Sequence, residues 1–162
     1  METSFRNLIY LFPIVVTLHN AEEAIWFPGW SERVGLRPTS VSSAVIRIAA
    51  SIFAVLAFVV TYLSVKSGKQ TIWTYVAFGY MVAMLANVLV PHIAASVALR
   101  RYTPGVVTAV GLNLPALSLL VVLALREGYV SGWTAAGYSA GVASLLLLSI
   151  AALLKLGKVL GL

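Results

Sequence analysis

Five long runs of apolar residues make up most of the sequence, and short stretches with charged residues, prolines or glycines separate them. An α-helix needs about 20 predominantly apolar residues to cross the hydrocarbon layer of a membrane. Here the apolar residues are continuous rather than spaced at amphipathic intervals, which is typical of segments that face lipid. The runs predict membrane-spanning helices at residues 8–27, 41–65, 72–99, 104–125 and 133–154.

The composition supports a membrane protein. Only 10% of the residues are charged and 60% are hydrophobic, whereas about a quarter of the residues in a soluble domain are charged. We therefore predict an all-α polytopic transmembrane bundle of about five helices, and a single integral membrane domain over residues 1–162.

Charge and cysteine content exclude several functions. The net charge of +6 comes from lysines and arginines at the ends of apolar runs, where such residues fix membrane topology, so no nucleic-acid partner is expected. The absence of cysteine excludes disulfides, thiolate metal ligands and thiol nucleophiles.

The first apolar run is too short to span a membrane by itself. Leu8 to Leu18 would extend for only about 16 Å, roughly half of a bilayer. The helix must therefore continue through the polar residues 19–23, and Pro28 and Gly29 are expected to end it. This places titratable side chains inside the membrane, where each ionised group costs about 2.5–3.5 kcal/mol unless it is compensated.

Several polar residues are predicted to meet at one depth. His19, Glu22 and Glu23 have the i, i+3, i+4 spacing that places side chains on one helix face. Counted from one membrane surface, His19, His92 and Asn113 all lie roughly 12–14 Å deep. Asn87 lies one turn further in, and Arg47 enters the second helix from the same surface.

Three short motifs resemble those of the HXXEE family of small membrane proteins. His19 to Glu23 fits its His-x-x-Glu-Glu motif, Asn87 to His92 fits Asn-x-x-x-x-His, and Tyr102 to Gly105 fits Tyr-x-Pro-Gly. The three occur in the family's order and cover most of the chain. The resemblance implies a set of functional positions but no reaction: His19, Glu22, Glu23, Asn87, His92 and Tyr102.

These residues have two chemical interpretations and one structural interpretation. His19, Glu22, Glu23 and His92 could bind a divalent metal such as zinc, iron or manganese, because imidazole and carboxylate are ligands of all three. Without a metal, a glutamate and a histidine could act as general acid and base. The structural alternative is a network of hydrogen-bonded side chains that holds the helices together.

Other polar residues have supporting roles in this hypothesis. Asn87, Asn113 and Arg47 are predicted to contribute to cofactor binding, and Pro91 to bend the third helix so that Asn87 and His92 both face inward. The turn at Tyr102 could cover the site. Alternatively, Thr103 and Pro104 could simply cap and begin the fourth helix.

We therefore expect a membrane-embedded enzyme of the isomerase, cyclase or hydrolase type, acting on a lipid-like or isoprenoid-like substrate. The alternatives are a small transporter coupled to protons or cations, and a non-catalytic ligand-binding subunit. A prokaryotic plasma membrane is the expected location. The excess of basic residues on the side of the C-terminus predicts that this end is cytoplasmic.

Gly137 and Gly141 have the four-residue spacing of small-residue packing faces in membrane helices. The spacing fits both packing within the chain and a homodimer. Membrane lipids are the other expected partners.

Overall fold

The computed structural model describes residues 4–34 and 43–160, and every regular element within these two ranges is helical. Five helices there are long and apolar enough to cross a membrane, so the predicted fold class is confirmed. We number them α1 to α5 in chain order: Phe5–Val34, Ser43–Ser67, Ile72–Leu99, Val106–Arg126 and Gly132–Val159.

Helix α3 lies at the centre of the bundle and packs against α2, α4 and α5, whereas α1 packs against α2 and α4. Apolar side chains fill the middle of the bundle. Phe12 of α1 meets Tyr80 of α3 edge to face, with ring centroids 5.2 Å apart, and Met81, Leu117 and Leu120 are fully buried nearby in the same core. The polar residues of α1, α3 and α4 lie beyond this core, towards the surface at which α1 ends.

The expected end of α1 at Pro28 and Gly29 was wrong, because the helix continues to Val34. Proline removes one backbone donor and thereby leaves carbonyl groups without an intrahelical partner. The helix nevertheless continues, and two side chains add bonds to carbonyl groups of its last turns. The Ser31 hydroxyl donates to the Pro28 carbonyl, and the Arg33 Nε donates to the Gly29 carbonyl.

Helices α3 and α4 are both irregular near the polar residues. Val88–Ile93 of α3 and Ala109–Asn113 of α4 are π-helical. Within the first of these segments, Val90 leaves helical geometry (φ −135°, ψ 114°) just before Pro91, so α3 has the predicted irregularity.

The boundaries of the other helices differ by a few residues from the predicted spans. Helix α4 begins at Val106 and not at residue 104, because Gly105 adopts a left-handed conformation (φ 88°) and precedes the first helical residue. Helix α5 continues to Val159, five residues beyond the predicted end. Residues 41 and 42 of the second predicted span lie outside the described residues.

Candidate functional site

His19, Glu23 and His92 form a cluster in which one ligand atom of each residue lies within 4.8 Å of the others. The Glu23 carboxylate lies beside both rings, 3.9 Å from Nε2 of His19 and 3.4 Å from Nε2 of His92. The rings themselves are edge to face, with centroids 4.7 Å apart. The structure thus brings together three of the four residues for which metal binding was predicted.

Both histidines of this cluster are buried, with exposed fractions of 1% for His19 and 3% for His92. Neither Nε2 atom makes a hydrogen bond within the described part of the chain. Buried polar atoms are nearly always paired in folded proteins, and the exceptions are common where a ligand or ion binds. Two unpaired nitrogens beside one carboxylate therefore mark the cluster as a candidate binding site.

A break in α3 lies between Asn87 and His92 and allows both to serve the same site. Residues five apart lie about 140° apart around a regular α-helix. Val90 leaves helical geometry between these two residues, so the regular spacing does not hold across this segment. Asn87 Oδ1 is also buried and makes no hydrogen bond within the described residues.

Glu22 does not join the cluster, although metal binding was predicted for it. Its carboxylate instead accepts four hydrogen bonds, two from the segment that joins α3 to α4 and two from the first turn of α4. The Tyr102 hydroxyl (2.5 Å) and the Gly105 amide (3.0 Å) donate to Oε1. The Thr108 amide (2.9 Å) and hydroxyl (2.5 Å) donate to Oε2. The two adjacent glutamates thus have different surroundings.

The Tyr-x-Pro-Gly turn, residues 102–105, lies directly over the cluster. A Cβ atom on Gly105 would lie 2.5 Å from Cε1 of His92, 3.0 Å from Cγ of Glu23 and 3.0 Å from Cε1 of His19. Only glycine leaves room for such close contact, and it also adopts the left-handed conformation at little cost. Trp30 Nε1 donates to the Tyr102 carbonyl, which ties the turn to α1 a second time.

Thr103 was one candidate for the cap of α4. Its side chain instead bonds to the neighbouring end of α3. Its hydroxyl lies 2.6 Å from that of Ser96 and bonds to the His92 carbonyl.

Tyr102 lies outside the membrane-spanning helices, in the segment between α3 and α4. Partial burial, followed by the hydrogen bond to Glu22, raises the pKa of Tyr102 to about 12, so its hydroxyl remains a donor at physiological pH.

Thr108 is a site residue that the sequence interpretation missed. Its hydroxyl lies 2.5 Å from Glu22 Oε2 and 3.1 Å from His19 Nδ1. A hydroxyl has one proton, and the short contact with a carboxylate takes it, so the oxygen accepts a hydrogen bond from Nδ1–H of His19. In this arrangement Nε2 of His19 carries no proton. Its lone pair is free, and the Glu23 carboxylate lies 3.9 Å away. The one sequence signal that could have identified Thr108 as a site residue is its position, about one helical turn into the predicted fourth span.

A cavity of about 90 Å³ lies beside the cluster. His19, Glu23 and Asn87 provide its polar part, and the other contacts are mostly apolar. The remaining lining residues come from α1, α2, α3 and α5: Asn20, Phe53, Tyr80, Met84, Leu146 and Ile150.

Two predicted site residues lie elsewhere. Arg47 lines a separate groove between α1 and α2. Asn113 is fully buried at the end of the π-helical turn of α4 but does not line the cavity. Neither its side-chain nitrogen nor its oxygen has a hydrogen-bond partner within the described residues.

Comparison with known proteins identifies the family of the chain. Residues 10–121 match the family model of a protein of unknown function with HXXEE motif. The chain belongs to the HXXEE family. It is also similar to the uncharacterized protein YrkK of Bacillus subtilis (strain 168), with 31% identity over 113 residues, or 70% of this chain and 72% of that protein. No solved structure is significantly similar to it.

The part of the chain that matches the HXXEE model contains the cluster, the covering turn and Thr108, and helix α5 lies beyond it. The motif that gives the family its name provides two cluster residues, His19 and Glu23, and the residue that holds the covering turn, Glu22. The roles of these residues in a reaction stay predictions.

Proposed function

We propose that this protein is a membrane-embedded enzyme in which His19, Glu23 and His92 bind a divalent metal ion next to a cavity for a lipid-like substrate. The observation that carries the proposal is the pair of buried, unpaired Nε2 atoms beside one carboxylate. Two histidines and one carboxylate are a ligand set used for zinc and for iron, and they leave positions open for substrate.

The surroundings of His19 support metal binding. A histidine that binds a metal usually donates its other ring N–H to an oxygen atom, which fixes the tautomer and the orientation of the ring. Thr108 provides such an acceptor for Nδ1, and Glu22 holds Thr108 in place. The lone pair of Nε2 is therefore directed towards the place where an ion would be bound.

The spacing of the cluster is slightly wider than that of an occupied site. Atoms that each lie about 2.1 Å from one ion are about 3.4 Å apart in tetrahedral geometry. The ligand atoms of the cluster lie within 4.8 Å of one another, so the side chains must close by up to about 1.4 Å when an ion binds. Zinc, iron and manganese are the candidates. A bound ion would polarise an oxygen of the substrate and increase the acidity of bound water.

The cavity of about 90 Å³ would hold only the reacting end of a mainly apolar substrate, because pockets for whole ligands are typically about 300–1,000 Å³. Phe53, Met84 and Leu146 would contact hydrocarbon, and the unpaired Oδ1 of Asn87 could accept a hydrogen bond from a hydroxyl of the substrate. Gly105 packs over the cluster, in which both histidines are buried and Glu23 keeps 32% of its side chain exposed and accessible to a ligand. Isomerisation, cyclisation or hydrolysis of a lipid-like or isoprenoid-like molecule suits this arrangement. In the variant of the proposal without metal, Glu23 and a histidine exchange protons with the substrate.

Metal analysis of the detergent-purified protein tests the metal centre. After incubation with zinc, iron or manganese and removal of excess ion, we expect about one equivalent in the wild type and in Glu32→Gln, which alters an exposed acid of α1. His19→Ala, Glu23→Gln and His92→Ala should each lose the ion. A wild type without bound metal, or equal binding by all the variants, would overturn the metal centre. Conversion of membrane lipid extracts by the wild type but not by Glu23→Gln would then support the acid–base variant.

The alternative functions are a carrier coupled to protons or cations and a non-catalytic ligand-binding subunit. A carrier requires a polar path to both surfaces. Buried apolar residues fill the bundle on the far side of the cluster, including Phe12, Met81, Leu117 and Leu120, and this favours an enzyme over a carrier. Proton or cation flux in proteoliposomes that depends on Glu23 would reverse this preference.

The remaining parts of the proposal concern location and assembly. We infer a prokaryotic plasma membrane, with the C-terminus of α5 in the cytoplasm because the basic residues favour that side. Within the described residues, nothing lies within 4 Å of a Cβ placed on Gly137 or Gly141, so this face of α5 is free to pack against a second copy. Loss of a dimer in Gly141→Leu, measured by light scattering in detergent, would support the homodimer, and a monomeric wild type would contradict it.

A further inference from the structure

The groove between α1 and α2 contains a cation, Arg47, that forms no ion pair with any residue that the structure describes. Arg47 lines this space of about 300 Å³ together with small side chains of both helices. The described residues contain no ion pair of Arg47, and the intervening loop, residues 35–42, has no acidic residue in its sequence. Arg47 is exposed near the start of α2, so its guanidinium can reach the level of the lipid head groups, where anionic phosphates are available.

The position of Arg47 in the groove defines the orientation of a ligand. Arg47 lies four residues after the first residue of α2, about 6 Å from the start of the helix, and therefore near the membrane surface. Seven residues further into the membrane, Ala54 lines the other end of the groove. Ala21, Ala24 and Ala50 line the space between these two residues and leave room for a chain.

The other polar groups of the groove already have partners. Thr17 donates to the Pro13 carbonyl, Asn20 to the Ala50 carbonyl, and Ser51 to the Arg47 carbonyl. The guanidinium is therefore the donor that remains for a ligand. Guanidinium groups bind phosphate through two parallel hydrogen bonds, and this geometry suits the phosphodiester of a lipid head group.

We propose that the groove binds an anionic phospholipid, with its phosphate on Arg47 and one acyl chain along the alanines towards Ala54. This site adjoins the cavity beside the cluster at Asn20 but contains none of the three cluster residues. It is therefore independent of the metal centre. An anionic lipid is preferred over a zwitterionic one because it offers Arg47 a negative charge that no second cation neutralises.

Native mass spectrometry of the delipidated protein in detergent tests this site. Dioleoyl phosphatidylglycerol should bind the wild type at least fivefold more tightly than dioleoyl phosphatidylcholine. Arg47→Gln should weaken binding of phosphatidylglycerol about tenfold and remove the preference. Arg101→Gln removes a charge from an exposed position on the same surface and serves as the matched control, which should bind like the wild type.

A second variant distinguishes the groove from general charge attraction. Ala21 is exposed and lines the groove, so Ala21→Leu fills it without a change in charge and should also weaken phosphatidylglycerol binding. Equal losses in Arg47→Gln and Arg101→Gln would overturn the site, as would unchanged binding in Ala21→Leu. Inorganic phosphate that displaces the lipid from the wild type at millimolar concentration would also overturn it, because the groove would then contribute nothing.

Discussion

The backbone of Gly105 lies directly against the imidazole ring of His92, so close that a methyl group at this position would lie 2.5 Å from Cε1 of the ring. The same methyl group would also approach His19 and Glu23 to 3.0 Å. The covering turn and the cluster are therefore packed as one unit, and a change in the turn should alter the positions of all three cluster residues.

Gly105→Ala should destabilise the protein through this contact. The new methyl group must displace His92 or the turn, and overpacking of this kind costs about 1–3 kcal/mol. Gly68→Ala is the matched control, because Gly68 has a similar left-handed conformation (φ 85° against 88°) but nothing within 4 Å of its Cβ position. The free energy of unfolding in detergent should fall further in Gly105→Ala than in Gly68→Ala. Equal losses would mean that only backbone strain matters.

The two adjacent glutamates should respond differently to replacement by glutamine. Glu22→Gln weakens charged hydrogen bonds to the covering turn and should cost about 2 kcal/mol, or roughly 4–8 °C in Tm for a chain of this length. Glu23→Gln should change the Tm of the metal-free protein little but should abolish metal binding. Thermal unfolding and metal analysis of both variants test this division. Similar Tm values for the two variants would contradict it.

Thr108→Val should weaken metal binding, because His19 Nδ1 loses its acceptor and the ring is no longer held in one tautomer. Loss of such a supporting group typically reduces metal affinity 10- to 100-fold. Thr108→Ser retains the hydroxyl and should stay within about threefold of the wild type. Competition with a chelator measures both affinities. A Thr108→Val variant with wild-type affinity would exclude a positioning role for this residue.

Tyr102→Phe should loosen the covering turn. The hydroxyl donates to the Glu22 carboxylate at 2.5 Å, and a hydrogen bond to a charged group contributes about 1.5–3 kcal/mol. Hydrogen exchange of the Gly105 and Thr108 amides should therefore become at least about tenfold faster. Tyr10→Phe, at an exposed position of α1, is the control and should leave this exchange unchanged. Unaltered exchange in Tyr102→Phe would show that other contacts hold the turn.

The sequence predicted the helical bundle well because hydropathy alone determines which segments can cross a membrane. It was less informative about helix ends. Pro28 does not end α1, although it removes a backbone donor from the helix. The late start of α4 depends on the left-handed conformation of Gly105. Gly105 also packs against the cluster, and no local sequence pattern reveals that contact.

The approach of the helices at a common depth could be predicted by counting residues, and the structure places His19 and His92 in contact. The separation of Glu22 from Glu23 could not be predicted in this way. Both glutamates are close to His19 on a helical wheel, and only the position of the segment from Tyr102 to Thr108 decides which of them meets the histidines. Thr108 was missed for the same reason, because its role depends on a partner on another helix.

The different surroundings of Glu22 and Glu23 also have a mechanical consequence for α1. Consecutive residues point about 100° apart around a helix axis. The Glu22 carboxylate is hydrogen-bonded to the covering turn and the first turn of α4, and the Glu23 carboxylate lies beside two histidine rings. Any twist of α1 about its own axis that moved one carboxylate towards its neighbours would pull the other away. The rotation of α1 about its own axis is therefore restrained by two separate sets of contacts.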